Sequence, residues 1–272
     1  MARVVARTPL APVAAFPKRA VRVARHLGQV GSRTFKWLFT SREHTNYTFE
    51  LTPTNLEHLC WFIATVARTD VATVRAHIDE IDGGDFRERV RATAHRSPRR
   101  YMWDAEVRLG SRIGWYALVR AVKPQHVVEA GIDKGLGTVI LAEAIRVNSA
   151  EGHPGRITAI DINPEAGDLV VGSEWEDVVN LVHDDSVTVL QGLGGPVDLF
   201  IHDSVYTDEH EQAELDALLP LLSDRAVMMN ARAATTLVLP RMAESRGWNY
   251  LSFQEQPDGH WFTGDSVGIA WR

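Results

Sequence analysis

The chain reads as an α/β protein: a doubly wound, mostly parallel sheet of seven strands with the last strand antiparallel, preceded by a helical cap. Three observations predict it. From about residue 125 onward, short apolar runs alternate with segments of helical periodicity. The run Val127-Val128-Glu129 then breaks into glycines and opens Val139, Ile140, Leu141, Ala144 and Ile145, the pattern of strand, tight turn and helix. Finally, only the Pro257-Asp258-Gly259 turn and a short loop separate the runs Asn249–Gln254 and Ser266–Trp271. That connection is too short for a crossover, so these two strands pair antiparallel.

In chain order, residues 1–42 form a basic arm, 43–98 the helical cap and 99–272 the α/β domain. The arm holds nine Arg or Lys and no acid, which leaves 20 bases against 35 acids elsewhere, a net of −15. A basic arm on an acidic body suits a second copy of the chain, an anionic membrane or a nucleic acid. Self-association is the expectation, as a dimer through the arm or the cap, because the body supplies the opposite charge. Val21, Val23, Ala24, Leu27 and Val30 give the arm an apolar helical stripe.

In the cap, Thr52 with Pro53 starts a helix bearing Leu56, Leu59, Phe62 and Ile63. Asp70 caps a second helix, Gly83-Gly84 ends it, and Phe86 to Ala94 is a third. The polar–aromatic stretch Asn46 to Leu51 either closes over a ligand or pins a linker; its Tyr47 is a candidate substrate contact. Ser97-Pro98-Arg99-Arg100 marks the junction, and a helix over 104–122 leads into the core.

Strands are expected at 125–129, 156–160, 178–182, 197–202 and 226–229. Helices are expected at 135–147, 186–192, 208–222 and 235–246, with a loop and short helix at 163–175. Cys60 is the only cysteine, which excludes a disulfide framework within the chain and suits a reducing compartment. No apolar run approaches the roughly 20 residues of a membrane span, and no signal peptide is evident. The expected location is cytoplasmic.

The glycine turn carries the first chemistry. Glycines let the backbone approach a ligand closely, and the N–H groups of the following helical turn face it. Gly131, Gly135 and Gly137 are spaced G-x-x-x-G-x-G, so the G-x-G-x-x-G dinucleotide fingerprint is not met. Glu129 ends the first strand and Asp161 follows the second, where an acid accepts ribose hydroxyls in doubly wound folds. Together they suggest an adenosine-bearing ligand. The alternative is a turn needed only for packing, with Asp161 as a helix cap.

Several motifs in this order resemble class I S-adenosylmethionine-dependent methyltransferases. They are Glu129-Ala130-Gly131 with Gly135 and Thr138, then Asp161, Asp185-Ser186 and Phe200-Ile201-His202-Asp203-Ser204. Within that class, His202-Asp203-Ser204 with Thr207, Glu209 and Glu214 resembles the small-molecule branch called methyltransferase family 24. The resemblance covers about 100–272 and implies a Rossmann-like fold binding S-adenosylmethionine. It places Glu129 and Gly131 at the methionine end, with Gly135 and Thr138 in the same turn. Asp161 would hold the ribose hydroxyls, and Asp185 and Ser186 would flank the adenine. His202 and Asp203 stand beside the methyl group. Tyr206 and Asp208 depart from the family's usual His and Tyr, so the family's substrate contacts do not carry over there; Tyr206 is a candidate substrate contact. Metal-dependent relatives have Asp-Asp or Asp-Asn after the fifth strand, where this chain has Asn230-Ala231. A Mg²⁺ ion would find only Asp203 and Asn230, too few side-chain oxygens for a hard cation, and no metal is expected.

The implied reaction is methylation of a hydroxyl on a small polar metabolite, a sugar being one candidate. A histidine's unperturbed pKa of about 6.5 suits His202 to the role of base, with Asp203 facing substrate or metal. Because successive strand residues point to opposite faces, the two side chains are not expected to face the methyl together. His210, Glu211 and Glu214 have helical spacing and read as a solvated face. N-methylation, an NAD(P)-dependent oxidoreductase and a non-catalytic methyltransferase-like subunit are the alternatives. The acidic body lacks the basic track that nucleic acid requires.

Overall fold

Local capping chemistry sets the helices that precede the sheet. In the computed structural model, residues 9, 11–43 and 47–272 are described; Arg3, Arg7 and Asn46 lie outside them. The chain divides into two compact units, Met1–Arg42 with Gly259–Thr263, and Glu43–Asp258 with Gly264–Arg272. In the first, helix α1 runs Ala11–Thr40 and contains the stripe from Val21 to Val30. The Trp37 and Trp261 rings meet at 5.1 Å.

The second unit begins with the cap helices α2 (Pro53–Ala67), α3 (Val71–Gly83) and α4 (Phe86–Arg96). The Thr52 hydroxyl accepts the Asn55 N–H at 3.3 Å, and Asp70 accepts that of Thr73 at 2.9 Å. Each satisfies a backbone donor that a helix start leaves orphaned. Buried Asn55 donates to the Gln254 carbonyl and accepts from the Gln256 N–H, tying α2 to the far end of the chain. Helices α2 and α3 pack on α5 (Ile113–Val122), whose first eight residues are buried.

The sheet strands are β1 (His126–Ala130), β2 (Arg156–Asp161), β3 (Val179–His183), β4 (Val197–His202), β5 (Leu222–Asn230), β6 (Asn249–Gln254) and β7 (Ser266–Trp271). Their order is β3-β2-β1-β4-β5-β7-β6; β7 runs antiparallel to both neighbours, and the other pairs are parallel. Helices α6 (Leu136–Ala150), α7 (Ser186–Gly192), α8 (Asp208–Leu218) and α9 (Val238–Arg246) connect them. The strand β1 is buried along its whole length, as a central parallel strand covered on both faces must be. The order reverses between β1 and β4, which opens a crevice at their carboxyl ends.

Three expectations are corrected. The expected helix over 104–122 is helical only from Gly110, as a short 3₁₀ turn leading into α5. Upstream, the Asp104 carboxylate accepts the N–H groups of Glu106 and Arg108, and Val107 takes a left-handed φ of 52°. A short acidic side chain has outcompeted the helix for the backbone donors. No α-helix forms in 163–175, because Gly167 and Gly172 take positive φ and the N–H groups of Gly167 and Leu169 go to the carbonyls of Asp133 and Lys134. The solvated face proposed for α8 is the third, taken up with the site below.

Candidate active site

The turn after β1 is shaped by backbone. Gly131 has φ +86° and Gly135 φ +93°, conformations that L side chains rarely adopt. A Cβ on Gly131 would strike the carbonyl of Asp203, so the turn and the β4 tip are in direct contact. A Cβ on Gly137 would lie 2.5 Å from a Glu129 oxygen and 2.7 Å from the Trp115 ring. Asp161 Oδ2 accepts the N–H groups of Ile132 (2.9 Å) and Asp133 (3.0 Å), and Oδ1 accepts that of Asn163 (2.9 Å). With those bonds kept, one of its four lone-pair positions stays open for a ligand hydroxyl.

Glu129 is buried and accepts the Thr138 hydroxyl at 2.7 Å. Burial, with Asp203 and Asp161 nearby, pushes its carboxyl up to about 8, against the pull of Thr138 and Arg112. A cation placed here would recover the carboxylate.

The β4 tip is shaped by side chains. His202 is 1% exposed, and its Nδ1 lies 2.6 Å from Glu214 of α8. Glu214 also takes the hydroxyls of Ser186 and Ser204 and the His210 ring. Burial alone would raise its carboxyl, but these bonds prevail and hold it below the usual range. Glu211, also buried, accepts from Asn230 at 2.8 Å and from Thr236. The face read as solvated is therefore an internal clamp. The 3.6-residue period places Glu211 and Glu214 side by side; only the packing of α8 turns them inward.

His202 Nε2 and Trp115 Nε1 are among the buried polar atoms that lack a hydrogen-bond partner among the described residues. Such atoms are costly, by about 1–3 kcal/mol each, unless water or a ligand meets them. Asp203, one residue beyond the strand, turns instead to Arg112 (3.5 Å) and to the Tyr206 hydroxyl, which donates to it. Burial and the neighbouring Asp203 raise the Tyr206 phenol far above its ordinary value, so it stays a donor. Arg232 lies 4.8 Å over the Tyr206 ring.

Residues 128–230 match the family model described as "Methyltransferase domain". This stretch is similar to a methyltransferase domain. No curated protein matches the chain. Among solved structures, cofactor-bound Rv0187 from MTB is 21% identical, with a TM-score of 0.52 over 73% of this chain and 95% of that one. The O-methyltransferase TomG from Streptomyces achromogenes, in complex with SAM, is 15% identical, with a TM-score of 0.51 over 67% and 88%. At these identities the structures share the fold, and with the family model they support the resemblance to class I S-adenosylmethionine-dependent methyltransferases.

The matched stretch runs from β1 to β5 and contains Glu129, Gly131, Gly135, Thr138, Asp161, Asp185, Ser186, His202, Asp203, Tyr206 and Asn230. Asp185 caps α7, accepting the Thr188 N–H at 2.9 Å, while Ser186 joins the Glu214 cluster. Asn230 does not reach toward Asp203: its amide donates to Glu211 and its oxygen accepts the Arg232 N–H at 2.7 Å. The pair named for Mg²⁺ is thus already engaged, with the Arg112 guanidinium on Asp203. Tyr47 is half-buried in the stretch before α2, which is neither helix nor strand and in which Phe49 and Leu51 are buried. Arg112 and Trp115 lie upstream of the matched stretch, and neither is among the residues expected at the site. Their only signal was an arginine and a tryptophan three apart, one helical turn, just before the first core strand.

Proposed function

We propose that the protein transfers a methyl group from S-adenosylmethionine to a hydroxyl of a small polar metabolite. When bound, S-adenosylmethionine supplies a methyl group on a sulfonium, a good leaving group. Two residues suit such a ligand: buried Glu129 awaits a cation, and Asp161 keeps an acceptor position. The ligand's cationic end belongs at Glu129 and its ribose at Asp161.

One observation carries the choice of oxygen. His202 has Nδ1 held by Glu214 and a buried Nε2 with no partner among the described residues. A carboxylate on Nδ1 fixes the tautomer, so Nε2 carries the lone pair. A lone-pair nitrogen matters most for a hydroxyl, which must shed its proton as its oxygen takes the methyl. His202 Nε2 accepts that proton and Glu214 stabilises the resulting imidazolium. Asp203, oriented by Arg112 and Tyr206, orients the acceptor. General-base help of this kind contributes roughly 10²–10⁴-fold.

Titration calorimetry with S-adenosylmethionine and with NAD⁺ tests the cofactor; binding of NAD⁺ alone refutes the reading. A cofactor-consumption screen over metabolite hydroxyls, sugars first, against matched amines tests the acceptor, and turnover confined to amines refutes the oxygen assignment.

A further inference from the structure

Helix α1 is 30 residues long, and none of them is buried. It carries no acid. At 3.6 residues per turn, Lys18, Arg19, Arg22, Arg25, Arg33 and Lys36 fall within a sector of about 120°, and Phe16, Val23, Leu27, Phe35, Leu38 and Phe39 within about 160°, centred on the opposite side. Those six apolar side chains are 56–74% exposed. A broad apolar face with aromatic residues, opposite a face of Lys and Arg, is the composition of a helix lying in a membrane interface.

We propose that α1 is a docking element for an anionic lipid surface. Such a surface is the one partner that satisfies both faces together. Acyl chains take Phe16, Leu27 and Leu38, while the cationic side chains reach back along their stems to the headgroups. An acidic protein surface would match the basic face and leave the apolar face in water. A second copy would bury a seam of alternating three- and four-residue spacing, Val13, Phe16, Ala20, Val23, Leu27 and Val30. That seam leaves Phe35 and Phe39 outside, and it lines Arg19, His26 and Arg33 along one flank with no acid to pair them. Residues 43–272, at −15, are repelled by an anionic surface, so attachment is confined to the arm that this helix forms. The helix lies on the surface; no helix among the described residues is long and apolar enough to cross a membrane.

The test is co-sedimentation of the full chain with vesicles of phosphatidylcholine alone and of phosphatidylcholine mixed with phosphatidylglycerol. Binding to the mixed vesicles only, weakening as salt rises, is the expected result. Arg22→Glu with Arg25→Glu lowers the partition coefficient by about tenfold or more, and so does Leu27→Asp with Leu38→Asp. Because these positions are exposed, both variants keep the unmodified melting temperature. Equal binding to neutral vesicles, or none to the mixed ones, overturns the proposal. So does a lipid-free dimer that Leu27→Asp with Leu38→Asp dissociates, which would assign the face to a second copy.

Discussion

The two sides of the crevice between β1 and β4 are held by different physics. On the β1 side, backbone does the work: positive-φ glycines make the turn, and Asp161 gathers the N–H groups of Ile132, Asp133 and Asn163. On the β4 side, side chains do it: Glu214 collects His202, His210, Ser186 and Ser204 from three elements and a loop. The comparison teaches that the glycine turn proposed to hold the ligand takes its shape from neighbouring residues and one clamp, Asp161, while the groups proposed for proton transfer exist only where distant segments converge. It also separates their failures. Damage on the β1 side should appear in affinity, and damage on the β4 side in turnover.

The largest effect tests that division directly. His202→Ala lowers kcat by roughly 10²–10⁴-fold and leaves S-adenosylmethionine affinity unchanged, as single-turnover kinetics and calorimetry would show. An equal loss of affinity would erase the distinction between the sides.

The next sharpens it through pH. The Glu129 carboxyl, ordinarily near 4.5, rises to about 8 in the folded protein. Between those values the folded protein holds a proton that the unfolded chain releases, so stability falls as pH rises through the window. Glu129→Gln removes that slope, and denaturant melts at about pH 5 and pH 8 measure it. A slope unchanged in the variant would mean that Glu129 is already charged.

Asp161→Ala weakens S-adenosylmethionine binding by about 10–100-fold, the loss of a hydrogen bond to a charged group. Calorimetry reads this, and unchanged affinity would leave Asp161 as a clamp on the turn alone. The smallest effect has the opposite sign from that at Glu129. Glu214 is held below its ordinary 4.5, so its contribution is present above that value and is lost as pH falls through the folded pKa. Glu214→Gln should flatten the acid limb of the stability profile, and an unaltered limb would detach Glu214 from His202 in its charged form.

The glycine turn was legible because its determinants are neighbours. Gly131 and Gly135 sit within five residues of the strand they follow, and no other residue takes their φ cheaply. Thr52 and Asp70 announced their helices for the same reason. Glu211 and Glu214 show the limit. Their spacing was visible, but two carboxylates on a helix face read equally as solvated or buried until the partners across the sheet are known. Arg112 was hidden further still, since its meaning depends on Asp203, 91 residues later.

The amino-acid order alone determined the strand–helix alternation, the antiparallel final strand, the glycine turn and the amphipathic character of the arm, because each follows from periodicity or conformational preference over a few residues. Tertiary structure decided what those patterns face. It delayed the start of the expected helix from Asp104 to Gly110, kept 163–175 irregular, turned α8 inward and set Arg112 against Asp203. Burial and charge pairing are properties of converged segments, and no local window of sequence contains them.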